Sequence, residues 1–281
     1  MTSLLNIEAD AFANAFARRC VKVRHDLTSH PLFEQEAIAQ LADQLPPSSV
    51  RREPGDLPLS HTRGFVEAGV GRPSETVRGI EENGFRVSLR DVQQLPEYAR
   101  LINQCLDEAA QYVAGREGGM KNRAGYIFVT APASTTPMHY DAEHSFLLQV
   151  RGTKHVFYAD LDDPNVKEQQ LQRYYRGEPL DTDLMHQHAT KTTIQSGEGV
   201  YIPSYVPHWV VTEQGLSISF SIPFYTPYAE KLELINLFNM RLGRFKVRTK
   251  PAGGSPIMDQ SKIALSRAWL RMSGKANKTW A

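Results

Sequence analysis

The chain has 281 residues, of which 41% are hydrophobic and 22% are charged, as in an ordinary globular protein. Its 32 basic and 31 acidic residues leave a net charge of +1, which disfavours nucleic acid as a partner. No stretch approaches the ~20 apolar residues of a membrane span. Residues 1–10 lack a signal-peptide pattern, and two cysteines exclude a disulfide scaffold. We therefore expect a cytoplasmic protein without a membrane partner.

The first third of the chain is predicted to be helical and irregular. Apolar residues spaced by three or four predict a helix from Leu32 to Leu45, and Pro46 ends it. Residues 46–95 are rich in Pro, Gly, Arg and Glu, a texture typical of binding loops. A second helix is predicted from Pro96 to Ala114. We expect residues 1–120 to pack on the domain that follows and to shape its substrate site.

Short β-strands follow from residue 121, at intervals of about 8–12 residues with Gly and Pro between them, which indicates a barrel or a sandwich. A helical insertion is predicted over Asn165 to Tyr175, and Gly152 is expected to mark a tight turn. The predicted strands are Tyr126–Thr130, Ser145–Arg151, Lys154–Ala159, Thr190–Gln195, Gly199–Pro203, His208–Thr212 and Leu216–Ile222.

The last predicted strand alternates apolar residues with Ser217, Ser219 and Ser221. One interpretation is a strand with one buried face and one solvated face. The other is a barrel strand whose serine face lines a polar cavity. The pattern alone does not choose between them.

Two C-terminal helices are predicted after Pro227, the second around Ser261 to Met272. Both carry more apolar residues than one contact face requires, so they must be buried on more than one side. A homodimer formed through residues 227–281 would cover the second side. The alternative is that the N-terminal helices cover it within one chain.

His139 and Asp141 form an H-x-D pair, which in a strand would direct both side chains to one side. Two histidines and one carboxylate on one face of a metal suit non-haem Fe(II) and O₂ chemistry. His208 follows a turn at the start of a later predicted strand and is the candidate third ligand. Only a closed or rolled sheet would bring these distant strands together.

Lys154 lies fifteen residues after His139, and Thr136 lies three residues before it. A lysine that points into a barrel is costly unless it meets an anion, and the threonine adds a hydroxyl donor. The two residues could hold a distal carboxylate while the metal binds the other end of the same molecule. This arrangement matches 2-oxoglutarate.

These segments resemble the JmjC (cupin-like) Fe(II)- and 2-oxoglutarate-dependent oxygenases, nearest the branch containing the asparagine hydroxylase of the hypoxia response. The resemblance covers about residues 121–226. It rests on the run from Thr136 to Asp141, the run from Ser145 to Lys154, the run from Gly197 to Pro203, and His208-Trp209.

The resemblance implies a mostly β protein with helical additions (α+β), built on a double-stranded β-helix (jelly-roll, cupin-like) barrel. It implies Fe(II) bound by His139, Asp141 and His208, with 2-oxoglutarate and O₂ as co-substrates. Lys154 and Thr136 would bind 2-oxoglutarate. Ser221 or Ser219 is the nearest match to a position on the last strand where the family often has asparagine, and Ser221 is expected to contact the co-substrate.

The implied reaction releases succinate and CO₂ and hydroxylates a C–H bond of a protein side chain or an amino-acid-like small molecule. Demethylation, a biosynthetic oxidation and a non-catalytic cupin-like regulatory module are the alternatives. The intact set of five residues argues against the last.

Overall fold

The computed structural model describes residues 3–61, 69, 71–243, 247 and 249–273. Its strands form two antiparallel sheets, a major sheet of eight strands and a minor sheet of four. The strands are β1 (Leu5–Asn6), β2 (Val21–His25), β3 (Val50–Pro54), β4 (Phe85–Leu89), β5 (Tyr126–Thr130), β6 (Thr135–His139), β7 (His144–Arg151), β8 (Thr153–Ala159), β9 (Ala189–Gln195), β10 (Glu198–Ile202), β11 (His208–Thr212) and β12 (Ser217–Phe224).

The major sheet has the order β1-β2-β10-β7-β12-β5-β4-β3, and the minor sheet has the order β6-β11-β8-β9. The two sheets face each other across a shared apolar cluster. The major sheet contributes Leu147, Val200 and Ile202 to it, and the minor sheet contributes Val156, Ile194 and Val210. This is the predicted mostly β barrel, and its strands from β5 to β12 confirm the strand pattern read from the sequence.

The N-terminal region differs from the prediction, because residues 1–120 supply four strands to the major sheet. β1 and β2 extend one edge beside β10, and β3 and β4 extend the other edge beside β5. Phe85, Val87 and Leu89 of β4 alternate with Arg86 and Ser88. Val87 and Leu89 belong to the core on the outer side of the sheet, so Arg86 and Ser88 face the barrel interior.

The described helices are α1 (Ala9–Ala15), α2 (Gln35–Gln44), α3 (Pro73–Arg78), α4 (Ile80–Asn83), α5 (Pro96–Glu117), α6 (Pro164–Arg176), α7 (Thr182–Gln187), α8 (Pro227–Gly243) and α9 (Pro256–Met272). Helices α1, α2 and α5 cover the outer face of the major sheet and form the largest apolar core with it. The predicted second helix continues three residues past Ala114 and ends before Gly118, whose φ is +81°. No helix among the described residues has the length and apolarity needed to cross a bilayer.

The two C-terminal helices pack on each other through Leu234 and Ile235 of α8 and Ile263 of α9. The Ser266 hydroxyl of α9 donates a hydrogen bond to the Leu234 carbonyl at 2.8 Å. The other side of α9 leaves Ile257 81% exposed, with further exposed apolar residues beside it. The homodimer through residues 227–281 stays a prediction, and this face is where it would form.

Gly152, where the sequence predicts a tight turn, forms a one-residue corner between the two sheets. It joins β7 of the major sheet to β8 of the minor sheet. Its φ is +81°, and a Cβ there would lie 2.5 Å from the Leu216 carbonyl oxygen. A side chain at this position would therefore meet both an unfavourable backbone conformation and rigid backbone atoms.

We expect Gly152→Ala to lower the free energy of unfolding by about 2–5 kcal/mol, since the left-handed backbone costs ~1–2 kcal/mol and the overpacked contact ~1–3 kcal/mol. Gly177→Ala is a matched control, because its φ is +75° and no heavy atom lies within 4 Å of its Cβ position. The free energy of unfolding of that variant should fall only by the cost of the left-handed backbone, roughly 1–2 kcal/mol. Urea unfolding measures both values, and equal losses would contradict the packing argument.

Candidate active site

A cluster of three possible metal ligands lies at the end of the minor sheet. The ligand atoms of His139, Asp141 and His208 all lie within 4.8 Å of one another. His139 and His208 are directly opposite on β6 and β11, with ring centroids 4.1 Å apart. The sequence predicts that His139 and Asp141 lie on the same strand. β6 instead ends at His139, so Asp141 reaches the cluster from the following loop.

The two imidazoles present their Nε2 atoms to one carboxylate oxygen. His139 Nε2 is 3.8 Å and His208 Nε2 is 3.5 Å from Asp141 Oδ2. The Nδ1 atoms lie 2.8 Å from the Pro137 carbonyl oxygen and 2.9 Å from the Val206 carbonyl oxygen, so these nitrogens are assigned as the N–H donors. That tautomer leaves each Nε2 lone pair available to a metal ion.

The electrostatics of the cluster fit a divalent cation. Burial lowers the pKa of His139 and of His208 to about 4, so both rings are neutral and able to coordinate at pH 7. Burial also raises the pKa of Asp141, which therefore gains from a nearby cation in order to stay ionised. Two imidazole nitrogens and one carboxylate oxygen form the donor set that suits non-haem Fe(II).

Lys154 lies inside the barrel at the start of β8 and is 3% exposed. Among the described residues its ammonium group has no hydrogen-bond or ion-pair partner, and the Phe128 ring centroid is 6.0 Å away. Burial, and secondarily the charge of Arg86, lower its lysine pKa to about 7. A buried cation without an anion is costly, so this position favours an anionic ligand.

Thr136 and Ser221 occupy different walls of the interior. Thr136 is on β6, where its hydroxyl oxygen accepts a hydrogen bond from Arg86 at 3.1 Å. Ser221 is on β12 in the facing sheet, where its hydroxyl pairs with that of Ser145 at 2.8 Å. The predicted contact between Ser221 and the co-substrate stays a prediction.

The serine face of β12 points into the barrel, as the second interpretation of its alternating pattern states. All residues of this strand are buried, which excludes a solvated face. Gln149 of β7 bonds to two of the serines, at 2.8 Å to Ser217 and at 2.7 Å to Ser219. These bonds satisfy the buried polar groups of this inner face.

His144 begins β7, three residues after Asp141, and is fully buried. Its Nε2 lies 3.0 Å from a Glu117 carboxylate oxygen and its Nδ1 lies 2.8 Å from the Tyr201 hydroxyl. The same Glu117 oxygen accepts a hydrogen bond from Thr226 at 2.6 Å. This buried network ties α5, β7, β10 and the segment before α8 together.

The sequence reasoning missed an acidic pair near the cluster. Glu143 and Glu233 both lie beside the side chain of Tyr225, and the charge of Asp141 acts on Glu143. Burial raises the pKa of Glu143 to about 8 and that of Glu233 to about 7. Glu143 follows Asp141 by two residues, so its nearness to the cluster could have been read from the sequence, whereas Glu233 comes from the distant helix α8.

Residues 110–232 match the family model of the JmjC domain. This match, together with the cluster of His139, Asp141 and His208, makes the protein a 2-oxoglutarate-dependent oxygenase, a class that uses Fe(II), 2-oxoglutarate and O₂. The predicted enzyme class and cofactors are confirmed.

The fold is similar to that of YcfD from Escherichia coli, with a TM-score of 0.55 and 14% sequence identity over 96% of this chain and 69% of that chain. A second structure, described as YcfD, a ribosomal oxygenase from E. coli, with cobalt and succinic acid, has a TM-score of 0.48 and 15% identity over 96% and 68% of the two chains. No curated protein sequence matches this chain.

Proposed function

We propose that the protein is a hydroxylase in which His139, Asp141 and His208 hold Fe(II), while Lys154 and Thr136 hold the far carboxylate of 2-oxoglutarate. The observation that carries this proposal is the pairing, inside one barrel, of a three-ligand cluster with a buried lysine that meets no anionic side chain in the part of the chain that the structure describes. When bound, the metal supplies the activation of O₂ that the side chains themselves cannot perform. The motif resemblance to the asparagine hydroxylase branch supports this reaction type.

The chain's own residues bind, orient and shield the reactants. The carbonyl partners of the two Nδ1 atoms fix both imidazole rings, and the Tyr205 amide donates to the Asp141 carbonyl oxygen at 2.7 Å. Lys154 sets the position of the co-substrate by charge. We propose that the substrate enters beside β3 and β4, where residues 1–120 shape its site, and that it is a protein side chain or an amino-acid-like small molecule.

The test is turnover of 2-oxoglutarate with Fe(II) and ascorbate, followed as succinate release, against a panel of peptides and cell-extract metabolites. A product heavier by one oxygen atom supports hydroxylation. Loss of a methyl group from the substrate, or a product lighter by two hydrogens, would replace hydroxylation with demethylation or desaturation. Absence of both 2-oxoglutarate binding and succinate release would contradict the proposal.

A pH dependence of co-substrate binding follows from Lys154. Its pKa is about 7 in the free protein, and a bound carboxylate raises it. Below the free pKa the lysine is already charged, so affinity is constant there. Above it, binding must take up a proton, and affinity falls about tenfold per pH unit until the bound-state pKa is reached.

Calorimetric titration of the Mn(II)-loaded protein between about pH 6 and pH 9, in buffers with different ionisation heats, measures the affinity and the proton uptake. Lys154→Met is the matched control, because it removes the titrating group and should remove the proton uptake. Uptake that persists in this variant would assign the pH dependence to another residue.

A further inference from the structure

Arg86 connects the N-terminal strands to the sheet that carries the metal ligands. It lies on the inner face of β4, directly opposite Thr130 of β5. Its Nη1 donates to the Thr136 hydroxyl oxygen at 3.1 Å, so the guanidinium spans the gap between the major and minor sheets. Its Nε and Nη2 both donate to Glu53 Oε2, at 3.0 and 2.6 Å, which fixes the orientation of the group.

Arg86 and Lys154 flank one part of the barrel interior. Arg86 is opposite Thr130 and Lys154 is opposite Thr212, and the hydroxyl oxygens of these two threonines lie 3.1 Å apart. The charge of Arg86 accordingly lowers the pKa of Lys154. Glu53, at 9% side-chain exposure, is the carboxylate paired with Arg86. Two cations and one carboxylate leave a single positive charge in a buried region, and such a charge is stabilised by an anion.

The charges divide the site into two matched halves. A divalent metal with Asp141 carries +2 − 1 = +1, and Lys154 with Arg86 and Glu53 carries +2 − 1 = +1. 2-Oxoglutarate carries one carboxylate at each end. Each half of the site would therefore neutralise one end of the same molecule.

We infer that Arg86 binds the far carboxylate of 2-oxoglutarate jointly with Lys154, with Thr136 between them and Glu53 holding the guanidinium in place. This inference rests on the proposed function. It makes the N-terminal strand β4 part of the co-substrate site. It also makes Arg86 a determinant of selectivity for oxo acids that end in a second carboxylate over those that end in a methyl group.

The experiment compares two ligands that differ only at the far end. 2-Oxoglutarate and 2-oxopentanoate share the oxo-acid group that binds a metal, but 2-oxopentanoate ends in a methyl group. Each is titrated into the Mn(II)-loaded full chain, where no turnover occurs. Arg86→Met should weaken the binding of 2-oxoglutarate by about ten- to hundred-fold, which is the range of a charge-assisted hydrogen bond. It should change the affinity for 2-oxopentanoate by less than about threefold.

Arg52→Met is the matched control. Arg52 is on the neighbouring strand β3 but faces the outer side, where its Nη1 donates to the Gly71 carbonyl oxygen at 3.0 Å. This variant removes the same net charge from the same hairpin. It should leave both affinities unchanged, which separates a contact in the site from a general change of charge.

Two outcomes would overturn the role of Arg86. Unchanged 2-oxoglutarate affinity in Arg86→Met would show that the guanidinium only orients Thr136. Equal losses for both oxo acids would show that it acts through the metal or the fold, and electron paramagnetic resonance of Mn(II) reports that directly. If Arg86→Met does not fold, Arg86→Gln, which removes the charge but keeps a polar side chain, takes its place, and the same two outcomes overturn the inference. A parent protein that binds neither oxo acid would instead contradict the proposed function itself.

Discussion

Replacing His139, Asp141 or His208 by alanine is expected to abolish succinate release, below about 1% of the parent rate. Removing even an outer partner of a metal ligand typically costs about 10–100-fold, and loss of a ligand itself costs more. The structure gives each residue the same task, since their ligand atoms converge within 4.8 Å. Metal titration should show weakened Mn(II) binding in all three variants.

The fold should survive these substitutions. Both imidazoles form their Nδ1 hydrogen bonds only with carbonyls of nearby residues, and burial already disfavours the charged form of Asp141. Asp141→Ala is therefore expected to keep or raise the thermal midpoint. His155→Ala is the control, because His155 neighbours Lys154 but faces away and pairs with Glu213 at 2.8 Å. Full activity in one of the three variants would remove that residue from the ligand set.

The second large effect is expected at Lys154. Lys154→Met should weaken 2-oxoglutarate binding by about ten- to hundred-fold, because it removes a charge-assisted hydrogen bond in a buried site. Lys154→Arg should recover only part of this loss, since the planar guanidinium has a different reach. Thr136→Val should cause a smaller loss, because a neutral hydroxyl contributes less than an ammonium group.

Stability provides an independent measurement of the same residue. The buried ammonium is destabilised, so methionine, of similar length, should raise the free energy of unfolding while it lowers the affinity. Lys191→Met is the control, since Lys191 is exposed on β9 and faces the Phe157 side of the minor sheet. Unchanged 2-oxoglutarate affinity in Lys154→Met would mean that another residue holds the far carboxylate.

The sequence could predict the barrel strands and the three converging residues, because both depend on local spacing. Strand alternation is visible over five to eight residues, and His139, Asp141 and Lys154 lie within sixteen residues of one another. His208 could be added because it begins a strand after a turn. The strand ends are less exact: β6 stops at His139, and β12 continues two residues past Ile222.

The sequence could not predict contacts made between distant strands. Arg86 lies 50 residues before Thr136, and its role depends on the pairing of β4 with β5. The alternation of Phe85, Val87 and Leu89 was available as a strand signal, but the Pro- and Gly-rich surroundings obscured it. In β3 the pattern fails because Arg52 occupies the outer face in place of an apolar residue.

The position of β2 has a consequence for how the chain acquires its structure. β2 pairs with β10, so Arg24 lies opposite Glu198, a separation of 198 − 24 = 174 residues. Contacts of such long sequence separation slow folding, because a large loop must close before any pairing stabilises it. During synthesis the first strands must wait until most of the barrel has been translated. We therefore expect the early segment around β2 to be the part most exposed to proteolysis and to chaperones on an unfinished chain.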